Sequence, residues 1–163
     1  HLLYSIITLM AIAMLFPITA FAQAYVQTWD LVDSGKHLDY DKNSTYMSYI
    51  NTGAATWNAY KSGVIRKDSA FVVEDVYVSD VNASNGWAGM TYSSGKIELN
   101  TYYMSGYSNS KKQNVATHEL GHALGLDHST STDVMDAAIT GHTSTQALSQ
   151  NDKDSYDAAY NNY

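Results

Sequence analysis

Residues 118–128 constrain this chain more than any other segment. They read His118-Glu119-Leu120-Gly121-His122-Ala123-Leu124-Gly125-Leu126-Asp127-His128, three histidines, a glutamate and a glycine in H-E-x-x-H-x-x-G-x-x-H order. Residues four apart on a helix stack one turn above the other, so His118 and His122 present imidazoles on one face. Ala116, Leu120 and Ala123 fall on the other side, where they can bury. On an unbroken helix the third histidine would lie about 15 Å beyond the first, too far to share an ion. Gly125 removes the obstacle, because it can adopt a positive φ, end the helix and let the chain turn back. His128 then completes a set of three nitrogens. Three neutral imidazoles suit Zn2+ and leave a fourth tetrahedral position open. Glu119 is rotated about 100° from His118, where a carboxylate can reach water beside the ion without ligating it. Such a group takes a proton from water and returns it to a leaving amine, the chemistry of metal-assisted peptide-bond hydrolysis. H-E-x-x-H alone arises by chance in many helices; the five-position pattern is far more specific.

Composition sets the surroundings of this motif. The chain has 163 residues, 45% of them hydrophobic, which is one ordinary domain with material for a core. Cysteine is absent, excluding disulfides, thiolate metal sites and thiol nucleophiles, so a metal would be held by imidazole. Nine Lys+Arg against sixteen Asp+Glu give a net charge of −7, which argues against nucleic acid as a partner. Leu2–Ala22 carries no charged side chain, Pro17 breaks its apolar run, and Ala20-Phe21-Ala22 supplies the small residues of a cleavage site. This pattern predicts a secretory signal at residues 1–22 and a working domain at 23–163; an uncleaved membrane anchor is the competing reading.

Periodicity predicts a helix over Ser44–Tyr60, with Met47, Ile50, Ala54 and Trp57 on one face. Phe71–Val78, Trp87–Tyr92 and Lys96–Asn100 read as strands, the last two joined across Ser93-Ser94-Gly95. A second helix is expected over Ser110–Leu124. A third runs from Ser149 to Tyr160, opened by a capping box of Ser149 and Asp152. The sum is a mixed α/β (α+β) arrangement with a small C-terminal portion.

On the zinc motif the chain resembles the metzincin zinc endopeptidases, and within them the matrixin-like group, particularly its small secreted bacterial members. That signature includes a methionine turn beneath the metal, which Met135, seven residues after His128, matches. Ala54-Ala55-Thr56-Trp57-Asn58 is similar to the group's tryptophan-bearing first helix, and Leu148–Tyr160 to its short C-terminal helix. The resemblance implies a twisted, mostly parallel sheet with an antiparallel edge strand, an active-site helix and a small C-terminal helical subdomain. It implies His118, His122 and His128 as zinc ligands, Glu119 as general base and Met135 as the floor of the site. Gly86, Trp87, Ala88, Gly89 and Met90 correspond to the edge strand on which an extended peptide would pair; plain packing of Trp87 and Met90 is the other reading.

Matrixin-like folds often hold calcium, and Asp80, Asn82 and Asn85 offer oxygen ligands for Ca2+, although such clusters also make ordinary turns. Two departures stand out. The methionine turn, Val134-Met135-Asp136-Ala137, lacks the proline often found shortly after the methionine, and Ala137 replaces the metal-reaching tyrosine of astacin-like and serralysin-like branches. The wall of the substrate pocket is expected from about Asp136 to Thr143. His37 and His142 do not match a structural zinc site and read as surface or packing residues, and without cysteine a matrixin-type thiol switch is not expected. The reading is therefore a secreted, monomeric zinc endopeptidase acting on protein or peptide, with no stable membrane association after signal cleavage. Its alternative is an exported zinc-binding, adhesive or structural protein without catalysis.

Overall fold

The computed structural model describes residues 23–69 and 72–163. Residues 1–22, where a secretory signal is expected, lie outside the described residues, as do residues 70 and 71, where the strand expected over Phe71–Val78 would begin. Five strands form one sheet in the order β2-β1-β3-β5-β4. β1 (Leu38–Asn43) pairs in parallel with β2 (Ile65–Lys67) and β3 (Val76–Val81), and β3 pairs in parallel with β5 (Lys96–Asn100). β4 (Gly89–Tyr92) closes the sheet antiparallel to β5 and is one of its edges. This is the mostly parallel sheet with an antiparallel edge strand that the resemblance implied.

Among the described residues, four helices and a 3-10 turn accompany the sheet: α1 (Met47–Asn58), α2 (Thr101–Met104), α3 (Asn109–Ala123), the turn Ile139–Gly141, and α4 (Gln150–Tyr160). α1 forms inside the predicted span and buries Ile50, Ala54 and Trp57 of the predicted stripe, while Met47, at its first turn, is only partly buried. Its entry is fixed from β3, where the Asp80 carboxylate accepts from the Ser44 hydroxyl and, at 2.8 Å, from the Thr45 amide. Trp57 is fully buried, donates from Nε1 to Thr117 O (2.9 Å), and meets the Tyr156 ring edge-on. One indole thereby joins α1, α3 and α4. α4 opens with the predicted capping box, Ser149 and Asp152 each bonding the other's backbone.

Two strand boundaries differ from expectation. β3 begins at Val76, because its ladder with β1 starts at the Tyr40–Val76 pair, and it runs on to Val81. Val73 has no such partner and is 85% exposed. β4 begins at Gly89 and not Trp87: the Asn100 amide still meets Ala88 O (2.8 Å) in continuation of the ladder, but at Trp87 the carbonyl is taken by the Asn100 side chain (2.9 Å) in place of a strand backbone. β1 and β2 escaped the sequence reading. β1 carries a buried aspartate, Asp39, whose carboxylate is gripped at both oxygens by Arg66 of β2 (2.8 and 2.6 Å). A charge is tolerated at such a position only with that partner.

Candidate active site

The second half of α3 is buried on nearly every side, from Asn114 through Ala123. His118 and His122 stand one turn apart with ring centroids 4.7 Å from each other. The helix stops at Leu124, and Gly125 takes φ +87°. Its amide returns to His122 O (2.9 Å) while the Leu126 amide reaches Gly121 O (3.0 Å). These two bonds are the Schellman closure, in which a left-handed residue satisfies carbonyls the helix leaves free. The chain reverses as the sequence predicted. His128 comes back until its Nε2 lies 3.2 Å from His122 Nε2, with its ring 5.2 Å from that of His118.

One nitrogen from each of the three imidazoles falls within 4.8 Å of the others. The outward nitrogens of two are engaged: His118 Nδ1 is 2.8 Å from Val134 O, and His122 Nδ1 is 2.8 Å from Leu126 O. A carbonyl only accepts, so each Nδ1 carries the hydrogen and each Nε2 keeps its lone pair for a metal. Burial, reinforced by the neighbouring histidines, lowers His118 to about 3, and burial lowers His122 to about 4, so both rings are neutral at ordinary pH. Neutral, oriented, closely gathered imidazoles fit Zn2+ as a donor set.

Glu119 projects toward β4. It is only 5% exposed, burial pushes its carboxyl up to about 7 against the opposing Thr91 hydrogen bond, and Thr91 Oγ1 donates to Oε2 at 2.6 Å. Thr91 was not singled out in the sequence; its only signal there is its place within a strand running past the motif helix. Gly89 is the other determinant. A β-carbon there would lie 2.6 Å from Glu119 Oε1 and 2.8 Å from Val115 Cγ1, closer than the side chains can tolerate. The glycine makes room for the carboxylate. Gly89→Ala is therefore expected to shift Glu119 and slow cleavage by as much as about 100-fold, since small misplacements of a reacting group cost that much. Cleavage rates of the variant, read beside an unchanged zinc content, check this.

Met135 is 1% exposed and lies under α3, its sulfur occupying the space where a β-carbon on Gly121 would come within 2.3 Å. The turn that holds it is anchored from α4. The buried Asp152 carboxylate accepts from the Val134 amide (2.9 Å) and the Met135 amide (3.2 Å) while also capping its own helix through Ser149 N (2.8 Å). Sequence reasoning found the cap and missed this second duty, which joins residues 17 and 18 apart.

The histidines and Glu119 open on a cleft of about 380 Å3. Gly86, Trp87, Ala88, Gly89 and Met90 line it, as do Ala137, Ile139 and Thr140 from the stretch expected to form the pocket wall. That stretch is clipped shut where His142 Nε2 meets Asp136 Oδ2 at 2.7 Å. His142 and His37 join no metal-binding group among the described residues. On the loop offered for calcium, Asp80 is engaged by Ser44 and Thr45, and Asn85 Oδ1 accepts from Asn100 Nδ2 (2.8 Å).

The matrixin peptidase family model matches residues 18–161, nearly the whole chain and all of the site just described. The chain belongs to the matrixin family. Matrixins are zinc-dependent peptidases that act on protein or peptide, and the mixed sheet and helices found here are consistent with their fold. No curated protein matches the chain.

Proposed function

We propose that this matrixin is a secreted zinc endopeptidase that cleaves extended segments of protein, with Glu119 as its general base. The observation that carries the reading is the convergence of three imidazoles and one buried carboxylate on a single cleft bounded by a sheet edge. His118, His122 and His128 would hold the ion through nitrogen. Bound there, zinc supplies Lewis-acid polarisation of a carbonyl group and of water. Glu119, raised toward neutrality by burial and steered by Thr91, accepts a proton from water as it attacks the peptide carbon. The same carboxyl then gives that proton to the departing amine. β4, at the edge of the sheet, offers backbone groups with which an extended substrate can pair, and this favours unfolded or loop segments over compact ones. The pattern of residues 1–22 supports export.

Digestion of an unfolded protein by the purified enzyme tests this reading, with new amino termini identified by mass spectrometry. Internal cleavage that stops on chelation and returns with added zinc is expected. Cleavage that survives chelation, or removal of terminal residues alone, contradicts it.

A further inference from the structure

His122 has two neighbours on its outward nitrogen. Besides Leu126 O, the side-chain amide of Gln27 lies 2.9 Å from Nδ1. Gln27 belongs to an N-terminal strap that runs along the turn after α3. Val26 bridges Leu126 antiparallel, Gln27 N donates to Gly125 O (2.8 Å), Asp127 N to Tyr25 O (2.9 Å), and Leu31 N to Ala123 O (2.9 Å). A further bond, from Tyr25 N to Ser155 Oγ (2.9 Å), ties the strap to α4. The strap is thus built onto the very turn that returns His128 to the other histidines.

The chemistry of the contact assigns its polarity. Nδ1 carries a hydrogen, because Leu126 O can only accept. An amide NH2 facing it would set donor against donor, and in that orientation Gln27 Oε1 is buried without a hydrogen-bond partner among the described residues. The two ends of a glutamine amide have the same shape, so the surrounding network decides which is which. Turning the amide over brings the oxygen to the imidazole N–H.

We propose that Gln27 is a positioning residue of the metal centre: its side-chain oxygen shares the His122 Nδ1–H with Leu126 O and thereby fixes the tautomer and ring angle that present Nε2 to the ion. The N-terminal strap is then part of the metal site, and metal retention depends on its docking. This rests on the zinc reading above. Partners of this kind, hydrogen-bonded to the far nitrogen of a ligating histidine, typically change metal affinity by about 10- to 100-fold when removed.

The test measures zinc affinity by competition with a chromophoric chelator for the unaltered protein, Gln27→Met and Gln27→Glu. Methionine keeps the length and volume but offers no strong acceptor; glutamate offers an acceptor and no donor. The expected result is weaker binding by about 10- to 100-fold for Gln27→Met and affinity at least equal to that of the parent for Gln27→Glu. A methionine variant that holds zinc as tightly as the parent overturns the proposal, and so does a glutamate variant as weak as the methionine one. Failure of the unaltered protein to bind zinc would instead overturn the metal reading itself, which a Gln27 failure alone leaves standing.

Discussion

Glu119→Gln is expected to reduce cleavage of an unfolded protein by about 1000-fold, within the range that general acid–base groups contribute, while leaving the zinc content at one ion per chain. The amide has the shape of the carboxylate, so it fits beside Gly89 and still accepts from the Thr91 hydroxyl. What it loses is the ability to hold a proton between water and the leaving amine. Because Glu119 is not one of the three gathered imidazoles, the ion should stay. Rate measurements paired with metal analysis separate the two effects: lost activity with retained zinc supports the assigned role. Full activity in the variant rules it out.

The second large effect falls on stability. Asp152→Ala removes the carboxylate half of the capping box on α4, its bond from Ser149 N, and, in the same stroke, strands the Val134 and Met135 amides. Losing a cap costs about 1 kcal/mol, and each buried donor left unpaired about 1–3 kcal/mol. A loss of about 4 kcal/mol follows, which should lower the thermal midpoint by about 10 °C or more for a domain of this size. Burial raises the carboxyl of Asp152, so its charge carries a desolvation cost. Asp152→Asn keeps one acceptor oxygen, enough for the Val134 and Ser149 amides, but sets its NH2 against the Met135 N–H, so its loss should fall between those of the parent and the alanine variant. Thermal unfolding of the two variants followed by circular dichroism checks the order. The effect should also reach the metal, since Val134 O is the partner of His118 Nδ1. Equal midpoints for the alanine variant and the parent would show that the turn does not depend on α4.

Helical spacing, the glycine stop and the capping box are local features, and for that reason they could be read directly. The reversal at Gly125 needed only the distance argument between His118 and His128, and the cap at Ser149 only a three-residue spacing. β5 likewise forms over the residues its composition indicated. What stayed hidden depends on partners distant in the chain. β1 was illegible because Asp39 makes sense only opposite Arg66, 27 residues away. Thr91 and Glu119 are 28 residues apart, and Gln27 and His122 are 95 apart. Gly89 could be placed at a sheet edge from the resemblance, yet its reason for being glycine is the Glu119 carboxylate behind it. The candidate ligands and base were thus visible in the motif, and the residues that hold them in place became visible only once the sheet brought them together.

Diffraction from zinc-loaded crystals, with anomalous data recorded on both sides of the zinc edge, tests the centre of this account most directly. One strong peak is expected inside the cleft, about 2.0–2.1 Å from one nitrogen of each of His118, His122 and His128, with Glu119 outside bonding distance. A peak elsewhere, for instance among the grouped carboxylates of Asp33, Asp39 and Asp75, with none at the histidines, would contradict it.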